Sequence, residues 1–139
     1  MAFLLCQVRL AFKKKLKYTT PMKNTSTGLK RILKAFTYSG KGLSSVFKTE
    51  AAFRQDLIVF VVGGILCFIL NLTGLERALI MFSLFLILLM ELINSAIEVI
   101  VDRISPKYHV LSGRAKDIGS SLVLIAFINA IVVWGLILF

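Results

Sequence analysis

Apolar positions along this chain fall into three long runs, preceded by a region where they recur every three or four residues. The runs cover roughly 57–75, 78–101 and 118–139. Each approaches or exceeds the about 20 residues that a bilayer-crossing helix needs. Gly74-Leu75-Glu76-Arg77 and its neighbours separate the first two, which predicts a helical hairpin. A polar stretch, 102–117, joins the second run to the third. Upstream, Leu29, Ile32, Leu33 and Phe36 keep helical spacing, with Lys30, Arg31 and Lys34 on the polar side. With Ser26 or Thr27 as its cap, this segment predicts an amphipathic helix on the membrane surface. Gly40-Lys41-Gly42 is expected to break it, and a second helical stretch, Leu43 to Arg54, then carries Glu50 into the first run. The expected fold class is all-α and membrane-integral. One domain over 23–139 holds a surface helix at about 26–54 and three spans, after a poorly ordered basic leader over 1–22. The leader has the wrong order of charge and apolarity for a signal peptide, and Met22 is a candidate translation start.

Polar residues interrupt the second run where lipid should be: Glu91, Asn94, Ser95, Glu98 and Asp102. A charged side chain at the centre of a spanning helix costs roughly 2.5 to 3.5 kcal/mol on the gentlest scale. At 100° per residue the five fall within an arc of about 100° and extend over roughly 16 Å of helix. Such a ladder must face other helices or a water-filled cleft. Glu91 is the deepest, placed for general-base work. Glu98 is nearer the polar loop, and Glu50 precedes the first span on the same side. Hard cations arriving with phosphates take one or two carboxylates, so these two are the candidate metal ligands. The residues alone leave three readings open: carboxylates that pair helices, a proton or cation path, and a catalytic site.

Charge placement orients the spans. Of 17 Lys and Arg residues, 12 precede the first run (Arg9 to Arg54), four lie in the polar loop (Arg103, Lys107, Arg114, Lys116), and Arg77 alone occupies the short turn. The positive-inside rule then puts the N-terminus and the 102–117 loop in the cytoplasm. A net charge of +10 beside apolar runs points to anionic headgroups or a phosphorylated substrate, with no nucleic acid as partner. Mean hydropathy of +0.86 excludes an ordinary soluble domain. Cys6 and Cys67 have no disulfide or metal spacing. No P-loop or protein-kinase motif set is present. His109, alone, reads as a loop residue.

Glu91-Leu-Ile-Asn94-Ser95-Ala-Ile-Glu98, then Val101-Asp102-Arg103, Tyr108-His109 and Leu111-Ser112-Gly113-Arg114-Ala115-Lys116-Asp117, resemble the prokaryotic diacylglycerol kinase family. Tyr38-Ser39, Lys41-Gly42-Leu43 and Glu50-Ala-Ala-Phe53-Arg54-Gln55 extend the resemblance upstream, over about residues 24–139. It implies a small integral-membrane kinase that phosphorylates a lipid hydroxyl with MgATP, as a homotrimer with shared sites in the bacterial inner membrane. By resemblance, Glu91 is the general base and Asn94 supports the centre, while Glu50 and Glu98 bind Mg²⁺. Arg31, Tyr38, Glu50, Glu98, Tyr108, His109, Lys116 and Asp117 match nucleotide positions. Arg31, Arg54, Gln55, Asp56, Arg77, Glu91 and Ser120 match positions on the lipid side. Ala51-Ala52-Phe53-Arg54-Gln55 looks like the diacylglycerol branch rather than the undecaprenol one. The chain departs from the pattern at Asp56, where the best-known members have Glu, and at Lys107 and Val110, where some have acidic residues. Gly40 stands in place of an aromatic. A proton- or cation-conducting oligomer and a catalytically dead adaptor are the alternatives from other classes.

Overall fold

A computed structural model describes residues 28–104, 107 and 109–139. The leader, the Ser26 and Thr27 caps and Tyr108 lie outside the described residues. Among the described residues four helices follow in order: α1 (Leu29–Thr49), α2 (Ala51–Ile69), α3 (Gly74–Ile104) and α4 (Val110–Leu138). The last three are long and apolar enough to cross a membrane. The chain divides into two compact units, the second being Gly40–Phe139. In the first, the described segment starts at Gly28, whose φ of 63° is the left-handed conformation glycine tolerates. Its carbonyl accepts from Arg31 N at 3.0 Å, opening α1.

Four boundaries differ from the sequence reading. Helix α1 runs through Gly40-Lys41-Gly42 without a break, because glycine weakens a helix by only about 1 kcal/mol. The break comes at Glu50, in extended conformation (φ −100°, ψ 117°). Residues 51–54 are therefore the first turn of α2, and Glu50 sits at the elbow rather than inside a helix. Arg54 ties that elbow: its Nη1 donates to the carbonyls of Phe47 at 3.0 Å and Glu50 at 3.1 Å.

The second and third differences flank the hairpin turn. Helix α2 ends at Ile69, and Gly74–Arg77, expected as the turn, is already the first turn of α3. The turn is 70–73. Thr73 caps α3 in a reciprocal box: Glu76 Oε2 accepts from Thr73 N at 2.7 Å, while Thr73 Oγ1 accepts from Glu76 N at 3.4 Å. Thr-x-x-Glu is the sequence signature of this cap. The fourth difference is α4, which starts at Val110 instead of near 118. His109 is its cap, Nδ1 accepting from Leu111 N at 3.2 Å.

Helix α3 packs against both α2 and α4. Toward the hairpin turn, Cys67, Ile80 and Leu84 form a buried cluster, flanked by Phe60, Leu72, Met81, Val133, Trp134 and Ile137. Here α2 approaches closely, since a Cβ on Gly63 would lie 2.8 Å from Leu84 Cδ1. A second cluster, Ile87 with Ala126 and Ala130, joins α3 to α4 midway. Small residues at such contacts are how membrane helices gain packing when lipid offers no hydrophobic drive. Helix α3 has 31 residues, or about 46 Å. The hydrocarbon core is about 30 Å thick, about 20 helical residues, so with Arg77 at one boundary the other falls near Ile97.

Candidate active site

The polar ladder occupies the packed face of α3. Glu91 (4% exposed), Asn94 and Ser95 are buried, Glu98 is half-buried and Asp102 is exposed. Leu88 and Val101, at the edges of the same arc, are buried with them. Burial thus falls along the ladder as depth does. Glu91 lies on the hydrocarbon side of the boundary near Ile97, Glu98 at it, and Asp102 beyond it.

Asn94 is the link within the ladder. Its Nδ2 donates to Glu98 Oε1 at 3.3 Å, and its side chain also interacts with the Glu91 carboxyl. Burial is the strongest influence on Glu91, followed by the charges of Asp56, Glu98 and Glu50 in that order. Three carboxylates, from two helices and an elbow, therefore act on Glu91. Asp56 Oδ2, Asn94 Oδ1 and Ser95 Oγ are buried with no hydrogen-bond partner. An unpaired buried polar atom costs about 1–3 kcal/mol, and three of them fall among the polar residues packed at this end of α3.

At the polar end, Lys116 Nζ meets Asp102 Oδ1 at 2.7 Å, with both side chains well exposed. The charge of Glu98 also acts on Lys116. An exposed pair of this kind adds little to stability. It does hold an ammonium with two further donors beside the carboxylate ladder. Glu50 is half-buried at the elbow, and its Oε1 accepts from Thr49 Oγ1 at 2.9 Å. No three His, Cys, Asp or Glu side chains among the described residues group into a protein-only metal site. Glu50 and Glu98 nonetheless fit a hard cation that brings its own phosphate oxygens, because such ions need only one or two carboxylates.

Other expected positions fall into place as follows. Arg54 is engaged in the elbow clamp, and Gln55 is exposed beside it. Asp117 and Ser120 are exposed on α4, Asp117 accepting through its carbonyl from Ser121 Oγ and Ser120 Oγ donating to the Lys116 carbonyl. His109 caps α4. Arg31 and Tyr38 lie on α1, both exposed. Arg77 does not join the carboxylates. It sits at the opposite end of α3, about 21 Å along the axis from Glu91. There it donates to the carbonyls of Cys67 at 3.3 Å and Leu72 at 3.4 Å, with its guanidinium over the Phe68 ring. Arg77 thus satisfies one carbonyl that the end of α2 leaves open and one in the turn. Sequence reasoning missed Gly119, the residue α4 sets against Asn94; its signal was a glycine one turn beyond a basic motif.

Three membrane-length helices, with a carboxylate ladder graded from hydrocarbon to water, define a small helical membrane protein with a polar site at the bilayer boundary. The model of the family described as prokaryotic diacylglycerol kinase matches residues 37–138, and the chain belongs to that family. Its relatives include proteins named diacylglycerol kinase. The one from Escherichia coli strain K12 is 45% identical over 117 residues, 84% of this chain and 96% of the relative. That from Haemophilus influenzae is 45% identical over 114 residues, 82% and 97% of the two chains. That from Pseudomonas aeruginosa is 46% identical over 112 residues, 81% and 91%.

Proposed function

We propose that this chain transfers the γ-phosphoryl group of ATP to the primary hydroxyl of diacylglycerol, giving phosphatidic acid and ADP. The observation that carries this reading is the graded depth of one helix face: a carboxylate within hydrocarbon, one at the boundary, and a lysine–aspartate pair beyond it. A lipid hydroxyl and a nucleotide come from opposite phases, and this face meets both. Names of the relatives support diacylglycerol as acceptor. The basic residues flanking the spans support an N-terminus and a 102–117 loop on the cytoplasmic side of a bacterial inner membrane, where ATP is. A homotrimer with shared sites belongs to the same reading through the family resemblance.

Phosphoryl transfer asks mainly for positioning and charge neutralisation. Glu91 takes the hydroxyl proton as the lipid oxygen attacks the γ-phosphorus. The bond from that phosphorus to the bridging oxygen breaks, and ADP leaves with the electron pair. Lys116 offsets charge on the transferring group while Asp102 keeps it aimed. Glu50 and Glu98 would hold Mg²⁺ arriving with the nucleotide, which would neutralise phosphate charge. Asn94 keeps Glu98 and Glu91 in fixed relation. Tyr108, His109 and Asp117 are assigned to the nucleotide by resemblance, as are Arg31 and Tyr38; Arg31, Gln55, Arg77 and Ser120 are assigned to the lipid side. Asp56, buried and acting on Glu91, belongs to the acceptor side.

The test is transfer of labelled phosphate from ATP to diacylglycerol and to undecaprenol by purified protein in mixed micelles. Labelled phosphatidic acid is the expected product. Strong preference for undecaprenol would replace the acceptor, and ion flux in liposomes without ATP would replace the reading altogether.

A further inference from the structure

Gly119 is buried on α4, three residues beyond Lys116, where the helix faces the carboxylate ladder. A Cβ at this position would lie 2.5 Å from Asn94 Oδ1 and 3.5 Å from Ile97 Cδ1. Even a favourable C–H···O contact keeps carbon and oxygen about 3.3–3.6 Å apart. A single methyl group would therefore drive the amide back by about 1 Å.

The amide has nowhere equivalent to go. Its Nδ2 already donates to Glu98 at 3.3 Å, the long end of hydrogen-bonding range. Turning it over would set its oxygen against a carboxylate. Its Oδ1 has no hydrogen-bond partner and is buried where Gly119 offers no side chain. The helices cannot easily part to relieve the clash, because Ile87 packs on Ala126 and Ala130 below.

We infer that Gly119 is a positioning residue: by having no side chain, it keeps the Asn94 amide in register between Glu91 and Glu98. This rests on the roles proposed above for those carboxylates. A glycine that served only close helix packing would act on stability and not through Asn94.

A double-mutant cycle separates the two. Steady-state kinetics and thermal stability are measured in micelles for the unmodified chain, Gly119→Ala, Asn94→Ala and the double variant. Gly119→Ala is expected to raise KM for MgATP and lower kcat, reducing kcat/KM about tenfold or more, the size of one hydrogen bond to a charged group. In the Asn94→Ala background, where the new methyl meets no amide, the same substitution is expected to change neither. An equal loss in both backgrounds would overturn the positioning role while leaving the proposed function intact. Unaltered kinetics in Asn94→Ala would also overturn the positioning role, by removing Asn94 from the site, and would leave the proposed function intact. If Gly119→Ala alone does not fold, recovery of folded protein in the double variant supports the inference, and failure of both overturns it.

Discussion

The two ends of the α3 bundle are built from similar parts to opposite ends. Near the hairpin turn, Gly63 lets α2 close on Leu84, and the space is filled by Cys67, Ile80 and Trp134. The nearby polar groups are engaged: Arg77 covers a carbonyl of α2 and one of the turn, and Ser83 Oγ donates to the Ile80 carbonyl at 2.8 Å. Near the polar loop, Gly119 lets α4 close on Asn94, yet three buried polar atoms there have no partner. One close approach serves apolar packing and the other holds polar groups that protein alone does not satisfy. On the proposed function, that contrast divides stability from chemistry along a single helix. Its sharpest check is that substitutions at one end move turnover and substitutions at the other move stability.

The largest effect is expected at Glu91. Glu91→Gln keeps the shape and the Asn94 contact but removes the proposed base, so kcat should fall about 10²- to 10⁴-fold. Thermal stability and MgATP binding should hold. Near-normal turnover would remove Glu91 from its role. At the other end, Leu84→Ala should cost about 2 kcal/mol of stability, at the low end for a buried leucine because separated helices remain in lipid. Thermal denaturation in micelles reads this, and kcat at a temperature where the protein is folded should stay within about twofold, since Leu84 lies about 10 Å along α3 from Glu91. A large kcat loss there would blur the division.

Glu98→Gln should act next in size. It weakens the hold on the metal-bound nucleotide, raising KM for MgATP about tenfold as a charge-assisted contact is lost, with a higher Mg²⁺ requirement. Unchanged Mg²⁺ dependence would take Glu98 out of the metal's contacts.

Much of this was readable from residue order. Glu91, Asn94 and Glu98 share one helix face by spacing alone, and depth follows from 1.5 Å per residue. Three apolar runs gave the helices. What spacing did not give was set by contacts between segments or by caps. Gly40 and Gly42 looked like breakers, but a helix tolerates two glycines, and the break went to Glu50, where Arg54 clamps both sides. Arg77 matches a lipid-side position by resemblance; its bonds to the carbonyls of Cys67 and Leu72 are set by the turn and could not be read from spacing. Gly119 carried no motif of its own, because its importance lies in what faces it across α4 and α3.

Thr73 gives the smallest and most local test. Apolar runs placed the turn at 74–77, whereas Thr73-x-x-Glu76 starts α3 there and confines the turn to 70–73. The side chain of Thr73 bonds Glu76 in both directions, so Thr73→Ala removes the acceptor for Glu76 N and the donor to Glu76 Oε2. Losing such a cap costs about 1 kcal/mol. The effect should appear as a modest fall in thermal stability, smaller than that of Leu84→Ala, with kcat and both KM values unchanged. Thr73→Ser retains the hydroxyl and should recover most of the loss. Thr73 lies about 27 Å along the helix axis from Glu91. A kinetic effect at that distance would mean that the start of α3 sets the register of its far end, and the division between the two ends would have to be redrawn.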